Sequence, residues 1–459
     1  MKVEYFKTIR RDFAEILENV SDCRAFTFSL RPFSVVGHIA TAFNLLKPLF
    51  WCLDEKNEDC LFLNVFVPSS TKSNDTKAVM VWIHGGGFQY GSSNIYRGGV
   101  LAAFNDVIIV TLNYRLGVLG FINAPGTDVK GNYGMLDQVW HSFLYTFQFR
   151  YHNHRRRQDS HFDYQLLNLE SFYTGVASRR QVVFFARVTN KRPLNEANFL
   201  FFLLSQIKVL ALKWVQNNIA NFGGDPNKVT IFGESAGGVS VSLHLISPLS
   251  KGLFQRAIMH SGVSSMPSFS GKVIKPIQLE WYAKRINCSL GSDIVECVRS
   301  KSVEDIVSVQ SLFLLERYIG PQDIIGPIVD GEFLPDLPVN LFETGKFHDV
   351  DVISGVASNE GALFAMMMPP DLVKDGVERT VFESFVRYEL FYSDFQGKSP
   401  LIEDLIIFQY SDHADPLNKI AIRQSLMDCA SDAMFVAPAI KEAKALAKVK
   451  YFNYYNNKK

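Results

Sequence analysis

Gly233-Glu234-Ser235-Ala236-Gly237 is a G-x-S-x-G stretch, and its flanks decide the fold. Before it, Lys228-Val229-Thr230-Ile231-Phe232 is a short β-branched, apolar run and reads as a buried strand. After it, residues 236–245 contain no proline and can open a helix. A strand, a sharp turn flanked by glycine and a helix make a nucleophile elbow, which presents a serine hydroxyl at the end of a sheet. The turn forces the serine backbone into a strained conformation and leaves no room for side chains at 233 and 237. The helix N-terminus beyond it aims N–H groups at developing negative charge.

Composition sets the class. The chain has 459 residues, is 47% hydrophobic and 20% charged, and carries a net charge of +1. That balance describes an ordinary globular domain and argues against a nucleic-acid or polyanion partner. No apolar run reaches membrane-spanning length, so no transmembrane segment is expected. The opening, Met1 to Asp12, has no apolar signal-peptide core. Six cysteines, at 23, 52, 60, 288, 297 and 429, are too few for a disulfide scaffold at this length. Asn19, Asn74 and Asn287 begin N-x-S/T sequons, which accept sugar only on the secretory route.

Outward from the elbow, the upstream chain becomes legible near residue 58. Residues 61–67 and 77–83 are strand-like, and the second run enters His84-Gly85-Gly86-Gly87-Phe88. Three glycines after a buried strand let backbone N–H groups approach a ligand closely. Paired with a downstream elbow, such a loop supplies half of an oxyanion hole. His84 sits inside the loop and reads as structural. Residues 107–112, 256–260 and 350–354 are further strands, and residues 211–220 form an amphipathic helix. Strands alternating with helices imply a mostly parallel sheet covered on both faces.

The chain resembles the type-B carboxylesterase/cholinesterase family of α/β-hydrolases. The matching stretches are 58–68, 81–88, 113–121, 131–138, 211–238, 253–262, 326–338, 355–361 and 431–438, in the family's order. The resemblance implies an α/β-hydrolase domain over 58–459 and a divergent segment over 1–57. It implies hydrolysis of a small-molecule carboxylic ester without cofactor or metal. Ser235 is then the nucleophile, and Glu360, in Ser358-Asn359-Glu360-Gly361, is the triad acid. Gly86, Gly87 and Ala236 donate backbone N–H groups to the oxyanion. Cys288 and Cys297 match the family's second disulfide in spacing and context. A secreted or ER-luminal location is expected from the family. Cys60 has Cys52 and Cys23 as alternative partners, and Cys429 reads as unpaired.

Three departures qualify this reading. The family places its base in a His-Gly pair after the last strands. Residues 445–455 resemble the segment leading up to that pair, and the family's last strand is expected to begin there, but no such pair occurs. After Glu360 only His413 remains; it precedes the Asp432 segment and reads as a surface residue. His38, His244, His260 and His348 read as structural or solvated, so impaired hydrolysis is expected. Second, residues 139–206 interrupt a helix that the family runs continuously from Gln138 into residues 207–214. This insert has one glycine and four of the ten histidines. Its basic cluster around Arg155-Arg156-Arg157 reads as solvated charge, without metal-ligand spacing. Phe201 to Gln206 is what a pyrimidine tract ending in CAG encodes, so the insert reads as a retained intron, disordered and poorly packed. Third, the family's usual opening is not recognisable in 1–50.

For substrate, Trp51 falls about where cholinesterases hold choline with an aromatic face, but Leu363 stands where they carry a ring, and uncharged esters are expected. The alternative class is a non-catalytic, cholinesterase-like adhesion or interaction protein, against which Ser235, Glu360 and the three loop glycines argue.

Overall fold

The computed structural model describes residues 60–72, 74–124, 126–127, 129–139, 146–152, 182–189, 211–267, 282–289, 294–316, 326–363, 374–390 and 400–456. The expected N-terminal segment 1–57, with Trp51, Cys23, Cys52 and Asn19, lies outside them.

Eight strands form one sheet: β1 Phe62–Val67, β2 Lys77–Ile83, β3 Ile108–Leu112, β4 Thr146–His152, β5 Val182–Thr189, β6 Gly224–Glu234, β7 Arg256–His260 and β8 Asp351–Gly355, in the order β4-β5-β1-β3-β2-β6-β7-β8. Strands β3, β2, β6, β7 and β8 run parallel to one another, and the β1, β5 and β4 side is antiparallel. This is the mostly parallel α/β sheet that the sequence implies. The central strands are buried on both faces: Val79, Val81, Ile83, Ile108, Val110, Val229 and Ile231 have no exposed surface. Their continuous apolar runs, rather than alternating ones, are what a sheet covered twice requires.

The helices that bear on the site are α1 Gly99–Asn105, α2 Gly117–Phe121, α3 Tyr133–Val139, α4 Ala211–Asn218 and α5 Ala236–Ile246. Every residue of α5 is buried, because it lies across β6, β7 and β2. Further on come α6 Ile294–Arg299, α7 Val303–Glu316, α8 Pro338–Glu343, α9 Arg379–Ser384, α10 Pro400–Gln409, α11 Lys419–Ser431 and α12 Ala437–Asn456. A π-turn over Asp432–Val436 joins α11 to α12. Val377, Phe382, Val386, Ile407, Ile422, Leu426 and Cys429 make a small second core, apart from the main one.

Two expectations are revised. Where the family's last strand was expected to begin, the backbone stays helical through Asn456. In the insert, the two stretches that are described are strands, not unpacked chain: β4 and β5 pair with each other, and β5 pairs with β1 from Phe62↔Arg187 to Val67↔Val182. The sequence reason is visible in hindsight. Val182-Val183-Phe184-Phe185 is rich in residues that favour strands, and β1 offers an unpaired edge. The expected disorder of the rest of the insert lies outside the described residues.

Candidate active site

Parallel neighbours end on the same side of a sheet, so the loops after β2, β6, β7 and β8 meet at one edge. Register places Ile83 beside Gly233 and Glu234 beside His260, which brings the 84–88 loop and the elbow together.

At the elbow, Ser235 adopts φ 54 and ψ −123, a left-handed φ that a non-glycine residue holds only when its surroundings force it. The surroundings do so. The Ser235 N–H donates to the His260 carbonyl at 2.9 Å, and its carbonyl accepts the Val239 N–H at 2.9 Å, opening α5. A Cβ on Gly237 would lie 2.0 Å from the Ile83 carbonyl oxygen, and one on Gly233 would lie 2.5 Å from the Gly237 carbonyl carbon. Both flanking glycines are therefore required by space, as the motif implies.

The 84–88 loop lies directly against this turn, since a Cβ on Gly85 would be 3.1 Å from Ser235 Cβ. Gly86 (φ 108), Gly87 (φ 61) and Phe88 (φ 61) are all left-handed, so successive N–H groups turn toward one side. The loop is fixed from behind. Tyr114 Oη donates to the His84 carbonyl at 2.8 Å, the Gly117 N–H donates to the Phe88 carbonyl at 2.6 Å, and the His84 ring stacks on Tyr114 at 4.5 Å. His84 is buried, with Nδ1 2.8 Å from the Gly85 carbonyl oxygen; burial pushes its pKa down to about 4, so the ring is neutral at pH 7 and Nδ1 donates. The 113–117 turn is itself pinned by Asp137 of α3, which accepts Arg115 N–H, Nε–H and Nη2–H at 2.9, 2.8 and 2.8 Å.

Glu360 follows β8. Its Oε1 accepts the Ala357 N–H at 2.6 Å. The next residue is held from α11: the Gly361 N–H donates to Ser431 Oγ at 2.7 Å, and the Ser431 hydroxyl donates to the Met427 carbonyl at 2.8 Å. Glu234, immediately before Ser235, has its carboxyl pKa raised, first by loss of water and then by the charge of Glu360. The Glu234 and Glu360 carboxylates are therefore near enough for their charges to interact. The Trp82 ring packs against Tyr96 and Phe232, with centroids 4.8 and 4.9 Å away; burial and the Glu234 charge push the Tyr96 pKa up to about 12. Leu363, half exposed, stands just past Glu360.

No histidine whose side chain is described hydrogen-bonds Ser235 or Glu360. His244 is buried between Ser250 Oγ and Gln138 Oε1, both at 2.9 Å. His348 Nε2 meets the Ser247 carbonyl at 2.8 Å, and His413 is exposed over Phe408. Cys288 and Cys297 form a disulfide, as the resemblance implies. Cys429 is buried, and its thiol pKa is pushed up to about 12 by desolvation. No three His, Cys, Asp or Glu side chains among the described residues are placed to hold a metal ion. Among those residues, no helix is long and apolar enough to cross a membrane.

Sequence reasoning missed the coupling of Glu234 to Glu360 and the Arg115–Asp137 brace. Both pairs lay within the matching stretches, but neither spacing marks a contact.

A sequence model of the Carboxylesterase family matches residues 25–140 and 208–459, passing over nearly the whole of the insert. Similar curated proteins include "Pyrethroid hydrolase Ces2e" of Rattus norvegicus, 31% identical over 389 residues, covering 84% of this chain and 54% of that protein. "Cholinesterase" of Mus musculus is 32% identical over 419 residues, covering 88% and 56%. "Cocaine esterase" of Oryctolagus cuniculus is 32% identical over 394 residues, covering 84% and 57%. The chain thus spans a little over half the length of the curated relatives it matches. On the family match and the sheet, elbow and loop described above, this chain belongs to the carboxylesterase family, with its α/β-hydrolase fold.

Proposed function

We propose that this chain carries the nucleophile, acid and oxyanion hole of a serine hydrolase for uncharged carboxylic esters. The observation that carries the reading is Ser235, held at a forced left-handed φ with the glycine loop against it. In this reading the Ser235 hydroxyl attacks the ester carbonyl. The backbone N–H groups of Gly86, Gly87 and Ala236 take the oxyanion, each such donor contributing about 3 kcal/mol to the barrier. Ala236 is the first residue of α5, so the helix dipole adds to its N–H. The alcohol leaves, and water hydrolyses the acyl-enzyme.

Serine needs a base to take its proton, and the place for an imidazole is between Ser235 and Glu360. Among the described residues no histidine side chain hydrogen-bonds either group, and a hydrolase without its base keeps a residual ~10³–10⁴-fold over water. The oxidised Cys288–Cys297 pair supports a secreted or ER-luminal setting for the protein. A purely adhesive role is the weaker reading, since it gives no reason to keep Ser235 in a strained conformation.

The test is to treat the expressed chain with a fluorophosphonate and compare p-nitrophenyl butyrate with butyrylthiocholine. Labelling that disappears in Ser235→Ala, with higher kcat/KM for the uncharged ester, is the expected result. Equal labelling of the two chains would overturn the assignment of the nucleophile, and a preference for the choline ester would overturn the substrate class.

A further inference from the structure

Glu442, on α12, is buried among groups that the proposed chemistry does not use. It is 1% exposed, and Ser242 of α5 and Ser264 beyond β7 are fully buried beside it. Glu442 Oε2 lies 2.7 Å from Ser242 Oγ, Ser242 Oγ lies 2.8 Å from Ser264 Oγ, and Ser264 Oγ lies 2.9 Å from Glu442 Oε1. The Ser265 N–H also donates to Oε1, at 2.7 Å. The three O···O contacts close a ring, and each is short enough to need a proton between its oxygens. A serine hydroxyl carries one proton, so the two serines supply two. A protonated Glu442 carboxyl supplies the third, so that no hydroxyl has to be shared between two acceptors. The circuit then runs one way: Glu442 Oε2–H to Ser242, Ser242 O–H to Ser264, and Ser264 O–H back to Glu442 Oε1.

We propose that Glu442 is a neutral carboxylic acid in the folded protein, and that its proton is a pH-sensitive latch fastening α12 to the nucleophile helix and to the loop after β7. That loop backs the elbow: His260 accepts the Ser235 N–H, and a Cβ on Gly262 would lie 2.0 Å from the Ser235 carbonyl oxygen. Losing the proton leaves two hydroxyls for three contacts and a buried anion that no cation among the described residues pairs with.

The surrounding charges do not neutralise such an anion. On α5, His244 is bound to Ser250 and Gln138. On α8, Glu343 pairs with Lys441 at 3.4 Å, and Asp351 of β8 meets Arg256 of β7 at 4.0 Å. His260 of β7 is exposed, Asp432 of the π-turn accepts from Tyr410 Oη at 2.6 Å, and Lys441, Lys444 and Lys448 of α12 point to solvent. Desolvation is the largest influence on Glu442 and raises its pKa, outweighing the lowering effect of the hydrogen bonds that Ser264 Oγ and the Ser265 N–H donate to it.

A carboxyl whose folded pKa lies above its unfolded value stabilises the fold fully below the unfolded pKa, about 4.3. Above that pH its contribution falls about tenfold in the folding equilibrium constant per pH unit, until the folded carboxyl itself ionises. Glu442→Gln supplies the same donors and acceptors as the neutral acid, with nothing to ionise. Urea unfolding of wild type and Glu442→Gln from pH 4.5 to 8 tests this. The expected result is similar stability near pH 4.5 and a growing advantage for Glu442→Gln, at least tenfold at pH 8. A variant that loses ground to wild type as pH rises, or one whose pH profile matches wild type, overturns the proposal. Should Glu442→Gln fail to fold, infrared spectroscopy of wild type at pH 7 decides: the C=O stretch of a buried protonated carboxyl supports the latch, and its absence overturns it.

Discussion

Gly86→Ala is expected to impair the oxyanion loop far more than Gly87→Ala, although both residues have left-handed φ and lie one position apart. At Gly86 a Cβ would sit 2.0 Å from the Tyr90 carbonyl oxygen and 2.8 Å from its carbon. Ordinary contact begins at 3.4 Å, so the backbone must retreat by about 1.4 Å. It cannot do so alone, because the Gly86 carbonyl accepts the Gln89 and Tyr90 N–H groups at 2.9 and 3.1 Å and the turn moves as a unit. At Gly87 a Cβ meets nothing within 4 Å, leaving only the left-handed penalty of about 1–2 kcal/mol. A misplacement of about 1 Å at a reacting site costs about 10²-fold in rate, and loss of one oxyanion donor about 10²–10³-fold. Gly86→Ala should therefore lower ester turnover by about 10²–10³-fold relative to the parent chain, and Gly87→Ala by no more than about tenfold. The assay is p-nitrophenyl ester hydrolysis and fluorophosphonate labelling, normalised to the folded fraction from urea unfolding. Equal losses in the two variants, or a larger loss at 87, would show that the loop does not act through the position of its N–H groups.

Asp137→Ala removes three hydrogen bonds and leaves the mostly buried Arg115 guanidinium without its carboxylate; it should cost about 3–5 kcal/mol, read from the urea midpoint, and a cost below about 1 kcal/mol would refute the brace. His84 and His244, lowered to about 4 and about 3 by burial, stay neutral in the fold while the unfolded chain takes protons near pH 6.5. Their contribution is complete above about pH 6.5 and is lost as pH falls, at up to about 1.4 kcal/mol per pH unit for each. In a Glu442→Gln background, which removes the opposing carboxyl, stability should drop between pH 6.5 and 5, and His244→Gln should make that drop shallower, with His84 and the half-buried His348, also lowered by burial, supplying the rest; a flat profile would sink this. Deleting 139–206, so that Gln138 joins Ile207, should leave a folded chain with the Ser235 elbow intact. Loss of cooperative unfolding in that deletion would mean that β4 and β5 are needed to cover the β1 edge.

The local backbone of the elbow and the glycine loop was legible in the sequence because it is dictated by short-range constraints. A strand, a glycine-flanked serine and a proline-free helix permit one backbone path at Ser235, and β2 runs directly into the 84–88 glycines. The disulfide was legible through family context around Cys288 and Cys297. What the sequence could not supply is whatever depends on which distant elements are neighbours. Asp137 and Arg115 meet because α3 lies beside the turn after β3, and Ser431 holds the Glu360 turn because α11 passes behind it. The insert strands join the sheet because β1 has a free edge, a fact about strand order rather than about residues 146–189. Glu442 is the clearest case. On a helix reading it is one more charged residue among Lys441, Lys444 and Lys448, facing water. Only the packing of α12 over α5 and the loop after β7 turns it inward, where three contacts join its two oxygens to the two serine hydroxyls and support a neutral carboxyl.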